Sequence, residues 1–275
     1  MTRKLFLILL IVGCCITSFA GKKVLYFTHE PGRWHKYTPQ LAEFKAIAKE
    51  AGWEMTASTG SYQEQINKLK EKDFAKGYDA IIYNFCFAGS KDLEACANLI
   101  KQTEENGVPC MLIHCSMHSW WSTYKRGKVP VGVNKGKAEA KLVKEWKKNH
   151  PNEKFPVWGD FTGVASTSHG PKLPVKAVAI KKDHPALKDF KDYTTSSPKS
   201  ELYNNFYITE DTIPLVKGIQ VVGKDKKEVE AVIMWEAPRG KGRLIGLTLG
   251  HSVDELKDEG FKTLVKGGLN YLMKK

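Results

Sequence analysis

The chain has 275 residues, 42% hydrophobic and 27% charged, with a formal net charge of +13. This composition is ordinary for a globular protein with a sizeable core, in one large domain or two small ones. Its lysines are interleaved with acids, as in "KEKDFAKG" and "GKDKKEVE", and form no basic stripe with alternating aromatics, so nucleic acid is excluded as an expected partner.

In chain order, Arg3 and Lys4 precede an apolar run over 5–16 and the small-x-small triplet Ser18-Phe19-Ala20, which predicts a secretory signal peptide over 1–20. The run is too short for a comfortable membrane span. A competing reading takes Ile11-Val12-Gly13-Cys14 as a lipoprotein processing site with Cys14 lipidated. The mature protein is therefore expected to be exported, periplasmic or secreted, with a lipid anchor as the alternative and no transmembrane span. Cleavage after Ala20 leaves a charge of +11 and four cysteines, Cys86, Cys96, Cys110 and Cys115, too few for a disulfide framework.

From Lys23 onward, short apolar runs alternate with amphipathic segments. Strands are predicted at 23–28, 53–58, 79–85 and 109–114. The intervening helices begin at Thr38-Pro39, with Thr38 as the capping hydroxyl and Gly52 as the stop, and cover 62–72 and 90–106. Residues 124–174 are rich in Gly and Lys and read as a loop-rich insertion over the sheet, with one helix around 138–148. Strands follow at 175–180, 213–222, 230–235 and 243–250, with 238–242 turning the last pair, and a helix over 258–273 closes the chain. The alternation predicts one α/β domain over 21–275, a flavodoxin-like, doubly wound, mostly parallel sheet.

In such sheets ligands gather at the carboxyl ends of the parallel strands. His29 follows the first strand, with His35 six residues on. His114 ends the fourth strand, trailed by Cys115 and His118, and His251 ends the last; His169 and Glu201 come from loops between. The motifs "GRWHKY", "LIHCSMHSWW", "DFTGVASTSH", "DHPAL", "ELYNN" and "MWEAPRGKGRLIGLTLGH" occur in that order from Lys23 to the C-terminus, and together resemble the trehalose-utilisation (ThuA-like) family. The resemblance implies a fold of the class I glutamine-amidotransferase type and a role in carbohydrate metabolism, with keto-sugar derivatives of disaccharides as substrates. Two departures stand out. Cys115 lacks the flanking glycines of an amidotransferase elbow, and Ser200 stands before Glu201 where family members often carry an acid.

The candidate catalytic residues are His114, Glu201 and His251, suited to acid–base chemistry beside a ketone. Trp34, His35, Trp120, Trp121 and Tyr124 are candidate saccharide-binding residues, since aromatic faces stack on sugar rings. His114, His118 and His169 are a candidate ligand set for a divalent metal ion, zinc or similar. The bland alternative for each histidine is hydrogen bonding to backbone; His150 and His184 read as structural. Two other functions stay open: a non-catalytic sugar-binding protein, and an amidotransferase-like hydrolase with Cys115 as nucleophile and His251 and Asp254 or Glu255 behind it. Self-association into a homo-oligomer is also left open.

Overall fold

The computed structural model describes residues 21–88, 90–120 and 140–274. The predicted leader, Trp121 and Tyr124 lie outside the described residues. The first half runs β1 (Lys23–Phe27), α1 (Tyr37–Ala51), β2 (Glu54–Ser58), α2 (Tyr62–Leu69), β3 (Ala80–Tyr83), α3 (Leu93–Glu104) and β4 (Cys110–Ile113), with a 3₁₀ turn at His114–His118. Next come α4 (Ala140–Asn149), α5 (Trp158–Thr162), β5 (Val164–Ala165), β6 (His169–Lys172), β7 (Lys176–Ala179), β8 (Tyr193–Thr194), β9 (Glu201–Tyr203) and β10 (Tyr207–Ile208). The chain closes with β11 (Ile213–Val222), β12 (Lys227–Arg239), β13 (Gly242–Leu247), α6 (Val253–Lys257) and α7 (Glu259–Leu272).

Nine strands form the central sheet in the order β2-β1-β3-β4-β13-β12-β11-β7-β8. The first five are parallel, the doubly wound order expected of a flavodoxin-like fold, and β12, β11, β7 and β8 extend it as an antiparallel flank. Because helices cover both faces, the inner strands β3 and β4 are apolar at every position, and the side chains of the parallel strands sort by parity. Val24, Tyr26, Met111, Ile113, Ile245 and Leu247 pack beside Phe44, Phe261 and Leu269 of α1 and α7. Leu25, Phe27, Cys110, Leu112 and Leu244 face the other way, beside Ile66, Leu69 and Leu99 of α2 and α3.

Some boundaries differ from expectation. Helix α1 starts at Tyr37, and its amino-terminal cap position, Lys36, makes no side-chain cap bond. Thr38 lies inside the helix, and its N–H donates to the Glu30 carboxylate, which serves the first turn from eight residues upstream. The insertion holds more structure than its composition suggests: α5, β5 and β6 occupy the stretch expected as loop. β12 runs through Pro238 to Arg239, so the turn to β13 is tighter, at Gly240-Lys241. Gly240 has φ +56° and lies against the Glu104 carbonyl, where a Cβ would sit 2.3 Å from its oxygen.

Candidate functional site

The carboxyl ends of β1, β4 and β13 open on one side of the sheet, and each delivers an imidazole there. His35 comes from the β1–α1 loop. His114 is the first residue past β4 and has φ +46°, an unusual conformation for a non-glycine residue at a tight strand-to-helix turn. His251 follows Gly250, whose φ of +109° turns the chain at the end of β13. The Glu255 carboxylate accepts the N–H groups of Gly250 and His251, and the Gln40 amide donates to the Gly250 carbonyl at 3.1 Å. Asn84 in turn donates to Gln40 Oε1 and Tyr26 Oη, both at 2.8 Å. This buried polar chain fixes the backbone on which His251 stands.

His35, His114 and His251 each present a ring nitrogen within 4.8 Å of the others. The His35 ring stands edge-on to both partners, at 4.8 and 5.1 Å between centroids. Against this trio lies Glu201, 5% exposed, on β9. Its carboxylate is 3.4 Å from His114 Nε2, 3.3 Å from His251 Nδ1, 3.4 Å from His169 Nε2 and 3.1 Å from Lys172 Nζ. The short ribbon of β6 and β9 brings these together by register, with Lys172 opposite Glu201 and His169 opposite Tyr203. Burial pulls the Glu201 carboxyl upward, but the neighbouring His114 and His251 outweigh it and hold the group below the usual carboxylate range. Burial beside His114 and His251 lowers His35 to about 2.

The ring tautomers follow from the backbone. Nδ1 of His114 is 2.6 Å from the Thr248 carbonyl, Nδ1 of His169 is 2.7 Å from that of Gly170, and Nδ1 of His35 is 3.3 Å from that of His251. A carbonyl only accepts, so each Nδ1 carries a proton, and in the neutral ring Nε2 keeps the lone pair. Two of those lone pairs, on His114 and His169, then face the Glu201 carboxylate. A proton or a metal ion between such acceptors would relieve their repulsion, as Lys172 already does for Glu201 and the Tyr203 hydroxyl for His114. The donation of Nδ1–H to a carbonyl is also how metal-bound histidines are oriented. His114 Nε2 and His251 Nδ1 are 3.4 Å apart, close to the ~3.3 Å between two nitrogens bound tetrahedrally at ~2.05 Å. His35, His114 and His251 could therefore hold a metal ion.

The other anticipated residues fall in varied places. His118 stacks on Tyr203 at 4.2 Å, and its Nε2 lies 2.9 Å from Ser166 Oγ; burial first, then His114, lowers it to about 3. His169 borders Glu201 with its side chain 39% exposed. The three imidazoles that gather are thus His35, His114 and His251, whereas the sequence grouped His114 with His118 and His169. Trp34 is 60% exposed with the Arg33 guanidinium 4.7 Å above its ring. Trp120 has no face to offer a ligand: it is buried against Phe85, Phe87 and Trp158 and donates to the Asp92 carbonyl. Cys115 is also buried. Its hydrogen bond with Cys86, then burial, pushes its thiol well up, and the strained turn residue is its neighbour His114, so it lacks the features of a nucleophile elbow. Glu255 braces backbone and is not an orienting acid for a ring.

Sequence reasoning missed three members. Lys172 reaches both Glu201 and His251, with Nζ 3.2 Å from His251 Nε2. Tyr203 places its hydroxyl 3.1 Å from His114 Nε2. Asn204 Oδ1 accepts from Ser166 Oγ and from the N–H groups of Thr167 and Ser168, clamping the insertion loop over the site. The signal was present for two of them, in "ELYNN", and for Lys172 in its place three residues past His169.

The comparisons with known proteins fit this geometry. The family model described as "ThuA: Trehalose utilisation" matches residues 23–272. The chain belongs to the ThuA family. A ThuA-like protein from Parabacteroides merdae superposes with a TM-score of 0.66 at 12% identity, covering 92% of this chain and 90% of that one. A ThuA-like protein from Bacteroides uniformis gives 0.59 at 16% identity, covering 93% of both chains. A glutamine amidotransferase from Thermotoga maritima gives 0.51 at 9% identity over 92% of this chain and 99% of that one, a likeness of fold alone. No match was found among curated proteins. In this ThuA-family chain, no described helix is long and apolar enough to cross a membrane.

Proposed function

We propose that this ThuA-family protein is an exported enzyme that removes a proton beside the ketone of a keto-sugar, most simply a disaccharide oxidised to a ketone on one ring. The observation that carries this reading is the single carboxylate of Glu201, nearly buried at the strand ends and touched by His114, His251, His169 and Lys172.

A carbonyl acidifies the adjacent C–H, so the chemistry needs a base at the carbon and positive charge or hydrogen-bond donors at the oxygen. Glu201 remains ionised and is the group placed to take the proton. Lys172 and His169, the more exposed members, line the open side, and the Lys172 ammonium is placed to donate to the developing oxyanion. Tyr203 Oη steadies His114. Bound at His35, His114 and His251, a divalent ion of the zinc class would supply Lewis-acid polarisation of the carbonyl. Exposed Trp34, in the same loop as His35, offers a sugar ring an aromatic face. When the ketone lies two carbons from the glycosidic carbon, loss of the intervening proton allows the glycosidic oxygen to leave by elimination; reprotonation of the enediolate to an isomer, or addition of water to the enone left by elimination, are the sister outcomes.

The test is incubation with trehalose and with its 3-keto form, followed by NMR, alongside elemental analysis of protein purified without chelator. New sugar species from the keto form support the enzyme. Shifted ligand resonances without new species support the second reading, a sugar-binding protein, which Trp34 and Arg33 would also serve.

A further inference from the structure

Two cysteines beside the site take no part in the proposed chemistry. Cys86 lies three residues beyond Tyr83 of β3, and Cys115 three residues beyond Leu112 of β4, and Tyr83 and Leu112 are paired in register. Level positions on neighbouring parallel strands lie about 4.8 Å apart, within the span a disulfide bridges. The two sulfurs are accordingly 2.7 Å apart, and about 0.7 Å of approach would bring them to bonding distance. They pack in one buried cluster with Tyr37.

We propose that Cys86 and Cys115 are a dithiol that closes to a disulfide by exchange with a small-molecule disulfide of the glutathione type. One protein sulfur attacks the small disulfide and releases one small thiol. The second protein sulfur then displaces the other, so two electrons and two protons leave the protein and two small thiols form. With 7% and 5% exposure, the pair exchanges through local opening of the turn that carries His114. The bond would tie the exits of β3 and β4 together across 29 residues of chain. This inference does not depend on the proposed function.

The experiment equilibrates the purified full chain with oxidised and reduced glutathione, blocks thiols with N-ethylmaleimide in denaturant, and maps peptides by mass spectrometry. The expected result is a cross-link between the Cys86 and Cys115 peptides, with Cys96 and Cys110 alkylated. It should persist in Cys110→Ala, vanish in Cys115→Ala, and raise the melting midpoint by more than about 5 °C relative to the reduced protein. Alkylation of both Cys86 and Cys115 at every glutathione ratio, a glutathione adduct that never resolves to the cross-link, or pairing of Cys86 with another cysteine would overturn the proposal.

Discussion

Two buried histidine–glutamate pairs occupy the same protein and are built to opposite specifications. His184 Nδ1 accepts the Ala186 N–H, so its Nε2 carries a proton and donates it to Glu236 at 3.0 Å. Tyr271 Oη adds a second donor to that carboxylate, and the Arg243 guanidinium lies 3.8 Å away and over the Tyr271 ring. Every acceptor there has a donor, and the network locks α7 against β12. At Glu201, His114 and His169 spend their Nδ1 protons on backbone carbonyls and turn Nε2 toward the carboxylate, while His251 turns Nδ1 toward it. The same residue types thus make a strut when donors and acceptors balance, and leave polar atoms open to a further partner when they do not.

The sharpest way to break this contrast is to neutralise each carboxylate in turn. Glu201→Gln should lower turnover of a keto-sugar by about 10³-fold or more, with thermal stability little reduced. Glu236→Gln should leave turnover within about twofold and lower the melting midpoint instead. Equal loss of activity in both variants would erase the distinction.

His184→Ala removes a donor from a buried carboxylate and should cost about 1–3 kcal/mol of stability in denaturant unfolding. His35→Ala and His251→Ala should each abolish stoichiometric metal in elemental analysis, which His184→Ala should leave intact. Lys172→Met, at the half-exposed rim, should reduce kcat by about tenfold with melting unchanged, because it removes a donor that the fold does not use.

The smallest effect concerns His118. Its folded value near 3 lies below the ordinary histidine value, so between about 6.5 and 3 the unfolded chain binds the extra proton and stability falls as pH falls. NMR titration should find this ring neutral at pH 4.5.

The parallel half of the sheet and the strand-end histidines were legible because apolar runs, helix stops and the strand-end rule are local signals. Histidines from the strand ends and loops were expected at one rim, and the structure brings His35, His114 and His251 together with His169 across Glu201. Which three imidazoles would converge was not legible, since that depends on the β1–α1 loop and on the turns at His114 and Gly250 that place the rings. Trp120 and Trp34 show the same limit: both flank site loops in sequence, and only packing against Phe85, Phe87 and Trp158 decides that one is core. The cap on α1 escaped notice because a carboxylate at Glu30 supplies it from outside the usual capping window.

The most direct measurement is deuterium wash-in. With a 3-keto disaccharide in D₂O, the native protein should exchange the C–H beside the ketone at a rate that Glu201→Gln lowers by about 10³-fold. Background exchange with the native protein, or equal exchange by both proteins, would contradict the assignment of Glu201 as the group that takes the proton.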